Sequence, residues 1–220
     1  KPLSFYQEKY GTSLYGLNKM YLLMEKQHNR GQDGVGIANV KLDISAGKRY
    51  ISRKRSITAN PIQDVFKQVN KKFVELEEKD PEKLKDTNWL KENFPFTGEL
   101  FLGHLRYGTF GGNTIEQCHP FLRQNNWKTR NLVLAGNFNM TNVEELFQQL
   151  LDLGQHPKEM ADAITILEKI GHFLDEANDD IYYKHKDNFS KKEITKIIEN
   201  ELDIQDILIQ SAKYWDGGYL

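Results

Sequence analysis

The sequence has little that would suit it to an unusual environment. A single cysteine, Cys118, in 220 residues excludes an intramolecular disulfide framework and a multi-thiolate metal site. That usage fits a reducing compartment, so a cytoplasmic location is expected. Charge of neither sign is in surplus: 30 basic side chains face 31 acidic ones, a formal net charge of -1. No global field therefore advertises nucleic acid or an anionic membrane as a partner. No apolar run approaches the roughly 20 residues of a membrane span, and the opening KPLSFYQEKY lacks the apolar core of a signal peptide. Internal repeats and low-complexity tracts are missing too. His104, His119, His156, His172 and His185 have no metal-ligand spacing, and no metal site is expected. The glycine-rich GTFGG segment lacks the lysine and following serine or threonine of a P-loop. Lys1 is not an initiator methionine, and the closing WDGGYL reads as the opening of a strand, so a piece of a longer chain is expected.

What is present is a mixture of helix and strand signals that length alone allows to be one domain or two; one, spanning 1–220, is the default. Leu14, Leu17, Tyr21, Met24 and His28 fall at helical spacing and predict an amphipathic helix over 13–28, ended by Asn29 and Gly31. The small and branched residues of GVGIANVKLD predict a buried strand, with 49–55 pairing across a turn at Ala46 and Gly47. Pro61 suits a first helical turn. The helix it opens runs into a charged stretch, 76–97, broken near Pro81 and read as a solvent-facing insertion. Strands return at ELFLGHLRY and NLVLAGNF. Asn142 and Glu145 predict a capping box before VEELFQQLLDLG, closed by Gly154. Further helices are expected over 159–177 and, as one element, over 190–215. Layered α and β structure follows, and pattern alone goes no further.

Three segments set polar groups and glycines beside buried strands, where a rigid scaffold presents side chains to a small ligand. They are HNRGQDGVGIA at 28–38, GHLRYGTFGG at 103–112 followed by CHPF at 118–121, and AGNFNMTNVEEL at 135–146. In this order and spacing they resemble the class II glutamine amidotransferase domain, most closely that of the amidophosphoribosyltransferase family. The corresponding family patterns are RGQD before small residues and Gly-Ile, GHxRY with a nearby threonine, Pro-Phe, and HNG before Asn-x-Thr-Asn. The resemblance covers about residues 13–175, and 178–214 has no match.

The resemblance implies an α+β fold, the four-layer αββα sandwich of two antiparallel sheets found in amino-terminal nucleophile (Ntn) hydrolases. It implies hydrolysis of glutamine to glutamate and ammonia, feeding a downstream phosphoribosyltransferase domain in purine biosynthesis. In that family the nucleophile is a first-residue cysteine. Its α-amino group, with a reference pKa of about 7.7 to 8.0, serves as base for a thiol of about 8.5. Arg106 is placed to clamp the substrate carboxylate, and Thr109 either adds a contact there or is a turn threonine. Asn137 matches the oxyanion donor and Phe138 supplies the backbone N–H beside it. Asp162 corresponds to the acid that receives the substrate ammonium, though a first-turn aspartate is also favoured by the helix dipole; Arg30 resembles the arginine beside the nucleophile's segment.

The glutaminase half implies no cofactor, any Mg²⁺ belonging to the phosphoribosyltransferase half, and self-association is left open. Two departures stand out. Gly136 and Phe138 replace the family's histidine and glycine, with backbone strain at Phe138 if the turn needs positive φ. Lys1 is not cysteine, and Cys118, next to His119, reads as a small buried apolar residue rather than a substitute nucleophile, since neighbours on a strand point to opposite faces. A noncatalytic glutamine-sensing or interaction domain is the competing reading, and a hydrolase acting on another amide is a third.

Overall fold

The computed structural model describes residues 1–108 and 114–219. Its backbone packs as two compact units, Lys1–Pro120 and Phe121–Leu220, where the sequence reading takes one domain by default.

In the first unit a short helix α1 (Leu3–Tyr10) precedes α2 (Tyr15–Lys26). No apolar stripe announces α1, in which only Leu3 is buried. Along α2, Leu17 and Met24 are buried and Leu14 and Tyr21 pack against the same cluster, as a 3.6-residue period requires. His28 departs from the predicted stripe. It is exposed in a 3₁₀ turn, His28–Arg30, with its Nδ1 2.8 Å from the Glu25 carbonyl oxygen.

The chain then enters β1 (Gly34–Val40), the central strand of an antiparallel sheet in which it lies between β2 (Ile51–Ser56) and β3 (Leu100–Arg106). Register runs Val35 to Ser56 on one side and Gly34 to Arg106 on the other. A central strand is covered on both faces, which explains the near-continuous run of small and branched residues. One polar residue interrupts it. Asn39 is fully buried, donates to the carbonyls of Gly98 (3.1 Å) and Leu100 (2.8 Å), and accepts the Gly98 N–H (2.7 Å).

Helix α3 (Pro61–Lys79), opened by the expected Pro61, lays Ile62, Val65, Phe66, Val69, Phe73 and Leu76 into the core. The 76–97 stretch is not wholly solvent-facing. It folds into α4 (Pro81–Lys85) and α5 (Thr87–Asn93), and Leu76, Leu90 and Phe96 join the core while the charged residues coat the outside. Charge density hid apolar residues scattered without a regular period through an otherwise polar run.

The second unit contains two short antiparallel pairs. β4 (Phe121–Arg123) pairs with β5 (Leu132–Leu134), and β6 (Phe138–Met140) with β7 (Gly217–Tyr219). Between β6 and β7 come α6 (Val143–Asp152), α7 (Asp162–His185), α8 (Lys191–Glu201) and α9 (Ile204–Ala212). Helix α7 outruns its predicted end at 177 by two turns. Its apolar residues Ile166, Ile170 and Leu174 form one core with Leu146 of α6 and Ile207 of α9. Arg123 crosses α7 at Gly171, where a Cβ would come within 2.4 Å of its Nε, and pairs with Asp175 at 2.6 Å and Glu168 at 3.2 Å.

Two local expectations are corrected here. The single helix over 190–215 is two, because the Asp203 side chain accepts the Asp206 N–H (3.0 Å) and starts α9 afresh. The capping box at Asn142 does not form: its amide donates to the Tyr214 carbonyl and accepts the Asp216 N–H, so it clamps the segment leading to β7. The box occurs instead at Ser190 and Glu193, opening α8. Among the described residues no helix is long and apolar enough to cross a membrane.

Replacing Asn39 by alanine strands the Gly98 amide and two carbonyls in a dry interior. The expected loss is about 2 to 3 kcal/mol of unfolding free energy, read as a lower denaturant midpoint at unchanged slope.

Candidate functional site

The RGQDGVGI segment earns its glycines by contact. At Gly31 a Cβ would sit 2.5 Å from the Leu105 carbonyl oxygen, and at Gly36 one would lie 1.9 Å from the His119 carbonyl oxygen. No side chain fits at either place, so β1 and the turn before it lie directly on the end of β3 and on the 118–120 segment. Asp33 fastens the same corner, its N–H donating to the Arg106 carbonyl (3.1 Å) and its Oδ2 accepting the Gly108 N–H (2.7 Å).

Arg106, the last residue of β3, is thereby held with only 8% of its surface exposed, and its Nη2 donates to Gln117 Oε1 at 3.0 Å. This is no solvated surface arginine. Arg30 lies on the turn that packs along β3, but its side chain is exposed. Thr109 lies outside the described residues.

The segment opposite is pinned by two arginines that β2 presents on one face, two residues apart. Arg55 Nη1 donates to the carbonyls of Cys118 (2.8 Å) and Glu116 (3.4 Å), and Arg53 Nη1 to that of Pro120 (3.2 Å). Cys118 is fully buried, and burial pushes its thiol up although Arg55, Arg106 and Arg53 pull the other way. A thiol held protonated in a closed site is a poor nucleophile. His119 stacks on His104 with ring centres 4.4 Å apart. Burial, then His104, then Arg106 and Arg55 push it down to about 3, so it is neutral near pH 7.

In the second unit Ala135, Gly136 and Asn137 link β5 to β6. Asn137 is exposed, and its side-chain amide makes no hydrogen bond among the described residues. Phe138 begins β6 without the strain considered from sequence, since positive φ among described non-glycine residues occurs at Asp43 and Phe96. Its ring lies over Gly136, where a Cβ would come within 2.4 Å of Phe138 Cζ. The replacements at 136 and 138 are thus one structural change: the phenyl ring occupies the space of a side chain at 136. Asp162, the first residue of α7, accepts the Met140 N–H through Oδ2 at 3.1 Å. Asn137, Phe138 and Asp162 therefore gather around β6, while Arg106 and Arg30 belong to the first unit.

Asp33, Gln117, Arg53 and Arg55 were missed as site-building residues. Alternating arginines in a strand were a readable signal for the last two; Gln117 carries none. No cluster of three His, Cys, Asp or Glu suited to a metal occurs among the described residues.

No family model matches the sequence. It is 31% identical over 130 residues to an amidophosphoribosyltransferase of Methanocaldococcus jannaschii, covering 59% of this chain and 21% of that protein. It is 40% identical over 60 residues to an amidophosphoribosyltransferase of Lacticaseibacillus casei, covering 27% of this chain and 30% of that protein. The chain is homologous to these proteins over the matched stretches, which span less than a third of their length. Among solved structures it resembles the glutamine phosphoribosylpyrophosphate amidotransferase of B. subtilis complexed with ADP and GMP, with TM-score 0.51 and 20% identity. It also resembles a structure described as the allosteric regulatory enzyme of purine biosynthesis, with TM-score 0.52 and 22% identity. Each match covers 90% of this chain and 30% of the other, and establishes a shared mixed α/β fold with antiparallel sheets.

The buried neutral His119 makes stability depend on pH with a definite sign. Its folded pKa lies below the ordinary 6.5, so the unfolded chain binds the extra proton, and stability falls as pH drops from 6.5 towards 3. The slope from this group is at most about 1.4 kcal/mol per pH unit. Thermal unfolding at pH 7 and pH 4.5 should show a smaller acid-induced drop for His119→Gln than for the parent; equal drops would remove His119 as the cause.

Proposed function

We propose that this chain is the glutamine-hydrolysing portion of an amidophosphoribosyltransferase-type enzyme, releasing ammonia from glutamine for transfer to a phosphoribosyl acceptor in purine biosynthesis. The observation that carries the reading is Arg106. A guanidinium at a strand end, nearly buried and touched by a neutral amide, suits a planar carboxylate such as that of the substrate. Its two bonds would fix the amino acid, and the homologues named as amidophosphoribosyltransferases support the assignment. Within the second unit the Asn137 amide would donate to the oxyanion, with the Phe138 N–H as second donor. Asp162 has its Oδ1 to offer a substrate ammonium, its Oδ2 already accepting from Met140. Thr109 and Arg30 are assigned supporting contacts to substrate and to the nucleophile's segment.

The chemistry requires a terminal cysteine, whose thiol attacks the amide carbon while the α-amine takes its proton and passes it to the departing ammonia. Cys118 is buried with its thiol pushed up, so the reading assigns the nucleophile to a terminal cysteine of the mature protein and not to Cys118. We assign the architecture to the four-layer Ntn hydrolase sandwich, the glutaminase step to protein groups without a cofactor, and any Mg²⁺ to the phosphoribosyltransferase portion. The Phe138 ring over Gly136 favours a second reading, a domain that retains glutamine binding without turnover.

Ammonia release from glutamine by the mature protein separates the two. On the first reading Arg106→Lys lowers kcat/KM about 10- to 100-fold, mainly through KM, since one of two parallel bonds is lost. Asn137→Ala lowers kcat by about 10²- to 10³-fold with KM little changed. Glutamine binding without ammonia release selects the second reading; neither binding nor release rejects both.

A further inference from the structure

We propose that a cavity in the second unit, bounded by α6, α7 and the end of α9, binds a small organic carboxylate with an apolar body, its charge met by Lys169. The cavity has a volume of about 440 Å³, the size of a small-molecule site. Leu150, Leu153 and Phe173 give it an apolar wall, Lys169 lies at its buried end, and Lys213 and Tyr214 line it together with the exposed carboxylates of Asp152 and Glu176.

Lys169 is 5% exposed, a position at which an ammonium normally faces a carboxylate. Here its Nζ donates to the neutral Gln149 Oε1 at 2.6 Å and lies 5.4 Å from the centre of the Tyr214 ring. No carboxylate touches its Nζ, the two that line the cavity, Asp152 and Glu176, being exposed and bonded to other side chains. Glu176 pairs with His172 at 3.2 Å, Glu168 with Arg123, and Asp152 accepts from Gln148, while Glu145 acts on Lys169 only across space. A second ammonium, Lys213, stands exposed 5.7 Å from the same tyrosine ring, so the exposed part of the lining holds charges of both signs and the buried end holds Lys169 alone. Burial lowers the Lys169 pKa, the sign expected of a cation without its counter-ion.

Apolar wall and cationic end together select an amphipathic anion: the hydrophobic portion lies against Leu150 and Phe173, and the carboxylate accepts from Lys169 in place of, or alongside, Gln149. Inorganic anions satisfy only half of this and should bind far more weakly. The site uses none of the residues assigned to glutamine hydrolysis.

Calorimetric titration of the full chain with 3-phenylpropanoate and with the neutral 3-phenylpropanamide tests the proposal. The acid is expected to bind at least about tenfold more tightly than the amide, the effect of one charge-assisted hydrogen bond, and Lys169→Met should abolish that preference. Lys169→Met replaces a buried charge with an apolar chain of similar length and should still fold, which circular dichroism checks. Equal affinity for acid and amide, a preference that survives in Lys169→Met, or no binding of either at millimolar concentration overturns the proposal.

Discussion

The first unit depends on two places where a side chain cannot exist. Gly31 and Gly36 let the start of β1 lie on the backbone of β3 and of the 118–120 segment, closer than any Cβ permits. That contact sets where β3 ends, and the end of β3 is where Arg106 stands. Asp33 locks the corner through that arginine's own carbonyl and the N–H of Gly108, while Arg53 and Arg55 hold the opposite segment by its carbonyls. A long, flexible side chain is thus given one position by rigid neighbours, the condition under which a guanidinium recognises a carboxylate with little further loss of entropy.

The second unit is organised by polar side chains that substitute for longer strands. β6 has three residues, too few to be stable as an isolated pair, and is held by Asp162 at the Met140 amide and by Asn142 clamped to residues 214 and 216. These bonds bring the start of α7 and the β7 segment to the turn carrying Asn137. Phe138 over Gly136 completes the arrangement with an apolar contact where the family pattern has a histidine and a glycine. An apolar ring thus stands against the turn that carries Asn137.

Much of this was legible in the sequence where a period or a fixed motif carried it. The stripe of α2 follows from spacing, since burial on one face imposes a period, the start of α3 from Pro61, and the pairing of β1 with β2 and the strand ending in Arg106 from composition and turn residues. Buried Cys118 followed from composition and alternation. What escaped were features decided by tertiary contacts. α1 has no stripe, Leu90 hides in a charged run, and Asn142 found partners more than 70 positions away in place of its own helix end. The break before α9 was readable, because Asp203 and Asp206 form an N-terminal cap pattern, but the apolar spacing across it masked the signal. Gln117 beside Arg106 could not have been found from one sequence.

The central claim is that a terminal thiol, and not Cys118, attacks a glutamine side chain. The most direct measurement treats the mature protein with a diazoketone analogue of glutamine, which alkylates the attacking nucleophile, and locates the adduct by peptide mass spectrometry. One adduct per chain on an amino-terminal cysteine, blocked by excess glutamine, is the result expected. An adduct on Cys118, or none on a protein that begins with cysteine, would contradict it.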